Sequence, residues 1–260
     1  MSSFSSPQNN SATNKKVGAE KRGFIKFFIL YFRSFGKLLY CGCLTLLFNL
    51  LVLPAGLGCV GMARIARISY REKHAFSSDY FDAIRDNWKL SVISGLINNI
   101  IFGFSAFTFY YLLTAQTQST LMIILSAFAL LLITFIKYYT PAIILTFKVT
   151  LGQLYKNAIL LAFAGFLRNM LILISHLVSY AIILLPLLID IYVGTGLAIC
   201  LFVLIIPSFN AFSTQAGIFP VMFKYMIEPF MKTHAGEGEQ TLRELGLIND
   251  TTEQIMQDAE

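Results

Sequence analysis

With 56% of its 260 residues hydrophobic, 13% charged and a mean hydropathy of +0.67, the chain is too apolar for a water-soluble domain, in which about a quarter of residues carry charge. The net charge of +6 does not point to nucleic acid, because the basic residues flank apolar runs and form no domain of their own. They suit topology control and anionic headgroups, so membrane lipid is an expected partner and nucleic acid is not.

Residues 1–22 are rich in Ser, Asn and Gln and have no apolar core; they are expected to be a disordered tail and not a cleaved signal peptide. Residues 23–230 read as a transmembrane helical domain. Its first part, Gly23–Lys37, mixes Phe, Ile and Leu with Lys26, Arg33 and Lys37, the pattern of a helix lying in the membrane interface or entering the membrane at an angle. Four uncharged runs follow: Leu38–Ala63, Leu90–Ile136, Asn169–Ile189 and Ile191–Phe223. Each exceeds or matches the roughly 20 residues needed to cross a bilayer, and the second is long enough for two crossings. Helices satisfy their own backbone in lipid, so the expectation is an all-α, polytopic transmembrane bundle of about five crossings with amphipathic cytoplasmic interface helices. Residues 231–260 are an acidic, soluble tail in which Asp250-Thr-Thr-Glu253 has capping-box spacing.

The first crossing, Leu38–Val60, ends in Pro54, Gly56, Gly58 and Gly61, where a kink or break is expected. Counted as a plain crossing, it leaves twelve lysines and arginines on the side of the following connector and seven on the amino-terminal side. By the positive-inside rule the connector and the carboxyl terminus are then cytoplasmic. Lys73 and Lys156 share that side, opposite Gln116 and Gly194. The seven amino-terminal positives conflict with this count, and a re-entrant hairpin turning at Pro54–Gly58 removes the conflict.

The connector carries Arg64, Arg67 and Arg71 at helical spacing, then an amphipathic helix, Ser78–Lys89. Phe76, Tyr80, Phe81, Ile84 and Trp88 are read as one face and Asp79, Asp82, Arg85, Asp86 and Lys89 as the other, with Ser77 or Ser78 as N-cap. Such a helix suits the membrane interface or the docking of a cytoplasmic partner. Arg64, Arg67, Arg71, Phe81, Arg85 and Trp88 are its candidate contact residues. A second amphipathic stretch, Thr150–Phe166, precedes the later pair of spans, which suggests a parallel repeat of helix plus hairpin.

Asp79-Tyr80-Phe81-x-Ala83-Ile84-Arg85-x-Asn87-Trp88-Lys89-x-Ser91 resembles the signature of the YesL-like family of bacterial multi-spanning membrane proteins, a domain of unknown function. Leu53-Pro54 with Gly58, and Thr150-Leu151-x-Gln153-Leu154-x-x-Asn157-Ala158 with Arg168, are further likenesses, within roughly Phe24–Tyr225. Cys59-Val60-Gly61 departs from the Gly-Pro-Ala that similar sequences place past the Leu-Pro step. The resemblance implies a bacterial cell-membrane protein without assigned enzymatic activity, associated with carbohydrate uptake.

No paired carboxylates, metal-ligand spacing, nucleophile elbow or phosphate loop is present, so neither an enzyme nor a cofactor is expected. Asp190 sits at a span boundary, and His74 and His234 are read as solvated. Cys41, Cys43, Cys59 and Cys200 all lie in apolar stretches and are read as free, buried thiols, with neither a disulfide framework nor a zinc site. Two functions remain: a non-catalytic accessory protein that docks a permease or ATP-binding subunit, and a small transporter or channel. Asn98, Asn99, Lys137 and His176, with Asn49 or Asn210, fall at comparable depths on their spans and form a candidate polar intramembrane layer. It serves either as interhelical glue or as the lining of a vestibule.

Overall fold

A computed structural model describes residues 24–51, 54–71, 75–114, 119–188 and 191–229, which form eight α-helices. They are α1 (Phe24–Arg33), α2 (Phe35–Leu50), α3 (Ala55–Tyr70), α4 (Ser77–Thr114), α5 (Thr120–Thr146), α6 (Leu151–Ala164), α7 (Phe166–Leu184) and α8 (Ile191–Met222). A short 3-10 turn, Leu185–Leu188, extends α7, and a π-turn, Phe223–Ile227, extends α8. The two expected tails lie outside the described residues, as do Lys73, His74, Gln116, Asp190 and His234.

Helices α4, α5, α7 and α8 are each long and apolar enough to cross a membrane. A fifth candidate arises only if α1 and α2, bent by 74° at Ser34, are taken as one span. The run from Leu38 to Val60 is thus not one straight crossing. Helix α2 ends at Leu50, and α3 begins at Ala55 and runs back along it. Thr45 Oγ1 donates to the Gly58 carbonyl, and Leu38 and Cys41 pack with Met62 and Ile65. Pro54 marks the turn: it stands as N-cap of α3, its carbonyl accepting from Leu57 N–H. The glycines expected at the turn lie inside α3 instead. There they let backbones approach: a Cβ on Gly56 would overlap the Ser91 carbonyl of α4, and one on Gly61 would strike the Tyr80 ring.

Helix α3 is the hub, packed against α2, α4, α5 and α8. Its beginning lies beside Ser91 and Gly95 of α4, and Cys59 Sγ stands 4.0 Å from Asn49 Oδ1 near the tip of the hairpin. Beyond Asn99, α4 continues for another 15 residues, about 22 Å at the helical rise. The α2–α3 hairpin therefore stops well short of the far end reached by α4, α5, α7 and α8. We call the end where α4 begins and α5 finishes the basic end.

Helix α4 is continuous from Ser77, so the amphipathic segment and the second span are one rod. Its start is fixed by Asp79, whose carboxylate accepts from Phe76 N–H at 2.7 Å, one residue before the expected N-cap. The anticipated aromatic face is split. Tyr80 is fully buried and Ile84 half-buried against α3, whereas Phe76, Phe81 and Trp88 are exposed. The packed stripe is Tyr80, Ala83, Ser91, Ser94 and Asn98, mostly small or polar groups. Lipid is as apolar as leucine, so small residues gain by facing inward and large ones lose nothing by facing out. In the later half, α6 and α7 are separated at Gly165, against which the Tyr139 hydroxyl packs.

Candidate functional site

The residues of the expected polar layer fall into three clusters. In the first, Lys137 Nζ of α5 donates to Asn99 Oδ1 of α4 at 3.3 Å and lies 4.5 Å from the Phe102 ring centroid. Cys59 stands beside Asn49 near the hairpin tip, Sγ 4.0 Å from Asn49 Oδ1. In the second, the Tyr155 hydroxyl of α6 meets Asn98 Oδ1 at 3.0 Å and the Ser94 carbonyl at 3.1 Å.

The third ties α5, α7 and α8 around His176. Its Nε2 is 3.2 Å from both the Asn210 carbonyl and Thr214 Oγ1, and its Nδ1 is 3.4 Å from the Tyr138 hydroxyl. A carbonyl can only accept, so Nε2 carries the proton and Nδ1 accepts from Tyr138. The neutral ring satisfies both partners. Ser179 Oγ donates to Asn210 Oδ1 at 3.0 Å, and Ser175 pairs with Ser213 at 3.0 Å.

The four residues expected in one layer thus pair separately and do not form one network. Asn99 and Lys137 meet, Asn98 turns to Tyr155, and His176 turns to Tyr138 and Asn210. Of the two further asparagines named from the sequence, Asn210 joins the histidine cluster and Asn49 joins Cys59. Sequence reasoning missed Tyr138, Tyr155 and Thr214. A signal was present: Ser175, His176 and Ser179 on α7, and Asn210, Ser213 and Thr214 on α8, each mark one helix face at spacings of three and four.

Arg67 corrects the reading of the connector. It is 2% exposed and takes no part in a docking surface. Its guanidinium donates to Thr146 Oγ1 at 2.9 Å and to the Ala142 carbonyl at 3.0 Å, at the carboxyl-terminal end of α5, while its Nε is buried without a hydrogen-bond partner. Burial first, and then the charges of Arg64 and Arg71, lower its pKa to about 9, so it stays protonated at neutral pH. The negative end of the α5 dipole partly offsets the cost of that buried charge. Of the remaining contact candidates, Phe81, Arg85 and Trp88 are exposed, and Arg64 and Arg71 are half-buried, with Arg71 stacked 4.9 Å from the Phe219 ring centroid.

At the basic end a groove of about 590 Å³ lies between the first half of α4 and the segment joining α5 to α6. Among the described residues, no three His, Cys, Asp or Glu gather as a metal site. The cysteines are free; Cys41 is buried and Cys43 half-buried, but Cys59 and Cys200 are exposed on the protein's own surface, against expectation.

Long apolar helices with polar groups paired inside the bundle decide the class. It is a multi-pass membrane protein. Compared with protein-family models, curated proteins and solved structures, the chain shows no match.

Proposed function

We propose that this protein is a non-catalytic accessory component of a bacterial transport system, of the YesL-like type, which docks a permease or an ATP-binding subunit at its basic end. The observation that supports this reading is the way the interior polar groups are used. Lys137, Asn98, Asn99, His176 and Asn210 all bond to neighbours in the bundle, whereas Phe81 and Arg85 project at the basic end. Buried polar groups bonded to each other rigidify a bundle, while a solute path needs groups left free to exchange partners. The positive-inside rule puts the basic end in the cytoplasm, where an ATP-binding subunit resides.

Purification of the tagged full-length protein from native membranes tests the proposal. A permease or ATP-binding subunit identified by mass spectrometry should accompany it in stoichiometric amount. Phe81→Ser should lower that recovery at least several-fold without changing the amount of protein in the membrane. Solute flux into liposomes that contain only this protein would instead establish a transporter and overturn the accessory role.

A further inference from the structure

We propose that the groove at the basic end binds the headgroup of an anionic phospholipid. Its lining carries three cations, Arg85 and Lys89 of α4 and Lys148 of the α5–α6 segment, against one carboxylate, Asp86. Each wall also carries an apolar residue next to its cation, Leu90 after Lys89 and Phe147 before Lys148. The ligand that matches both is amphipathic: a phosphodiester for the cations and a glycerol–acyl region for the apolar residues. A soluble phosphate would leave the apolar residues unused.

Depth supports the same ligand. Lys89 is the last charged residue of α4, and Lys148 is the first charged residue after α5 ends, so both stand where the hydrocarbon stops. Basic pockets between membrane helices on the cytoplasmic side are where anionic headgroups bind. Trp88 is 54% exposed, with Lys89 Nζ 5.5 Å from its ring centroid, and indole is at home at that level. Helix α6 begins at the groove's edge. Its capping box satisfies Gln153 N–H through Thr150 Oγ1 and Thr150 N–H through Gln153. The N–H groups of Leu151 and Gly152 have no acceptor within the helix, so the rim carries partial positive charge as well. A volume of about 590 Å³ accommodates a glycerophosphate group and leaves room for the first part of an acyl chain.

The chain holds one tryptophan, Trp88, so the site carries its own fluorophore. The full-length protein in lipid nanodiscs is compared with brominated phosphatidylglycerol as a minor component of phosphatidylcholine, and with brominated phosphatidylcholine at the same fraction in phosphatidylglycerol. Preferential binding predicts several-fold stronger quenching by the anionic lipid. Lys89→Gln and Lys148→Gln should each weaken the preference about five-fold, Lys89→Arg with Lys148→Arg should retain it, and Lys156→Gln, outside the groove, should leave it unchanged. Equal quenching by the two lipids overturns the proposal. So does an equal loss in Lys156→Gln, which would mean general surface charge. Saturable displacement of brominated phosphatidylglycerol by glycerol phosphate would assign the groove to a soluble phosphate and overturn the lipid reading. The docking test rests on Phe81, so either proposal can fail alone.

Discussion

Arg67 shows how little a residue's type says about its place. With Arg64 and Arg71 it falls on one side of α3, and in sequence the three are equivalent; only the packing of α5 and α8 separates the buried one from its neighbours. Thr146 Oγ1 also donates to the Ala142 carbonyl, so removing the guanidinium strands neither group. Arg67→Met keeps most of the volume and removes a desolvated charge, and should change stability by under about 1.5 kcal/mol. Arg67→Ala leaves a cavity and should cost about 2–4 kcal/mol. Denaturation in detergent micelles measures both. If methionine proves as costly as alanine, the charge itself is needed, and the packing account of Arg67 is wrong.

At the scale of elements, the helices were legible in the sequence because uncharged runs of membrane length have few alternatives. The faces were not. Large apolar side chains mark the core of a soluble helix, but in lipid they mark the outside, as Phe104, Phe107 and Tyr110 of α4 do. The inward stripe of α4 is instead drawn in small and polar residues, and Gly95 lies hard against Gly56 of α3. A Cβ added to Gly95 would lie 2.5 Å from Gly56 Cα, a backbone atom that cannot turn aside. Gly95→Ala must therefore part the two helices and should cost about 1–3 kcal/mol. Gly103→Ala, on the same helix with nothing within 4 Å, should be neutral or slightly stabilising. The pair shares one propensity change and differs only in the crossing, so equal effects on thermal stability would show that α3 and α4 do not meet there. The polar clusters were half legible. Depth along each span placed Asn99 with Lys137, but which partner His176 chose depended on helix rotations that spacing alone does not set.

For the whole molecule, the α2–α3 hairpin changes the topology. A plain crossing at Leu38–Val60 puts seven amino-terminal lysines and arginines on the side away from the connector. A hairpin that enters and leaves at the basic end returns them, so that every lysine and arginine except Lys137 falls on one side of four crossings. That distribution obeys the positive-inside rule without exception, whereas five plain crossings violate it at the first span. The geometry agrees, since the start of α3 lies beside Gly95 while α4 continues to Thr114. Single cysteines at Arg33, Lys156 and Tyr192, all exposed positions, separate the two topologies once Cys41, Cys43, Cys59 and Cys200 are replaced. With an impermeant thiol reagent, the Tyr192→Cys variant should label in intact cells. Lys156→Cys and Arg33→Cys should both label only after the membrane is opened. Position 33 is the discriminating one: if it labels in intact cells while position 156 stays protected, the chain crosses between them an odd number of times, and Leu38–Val60 is a span after all.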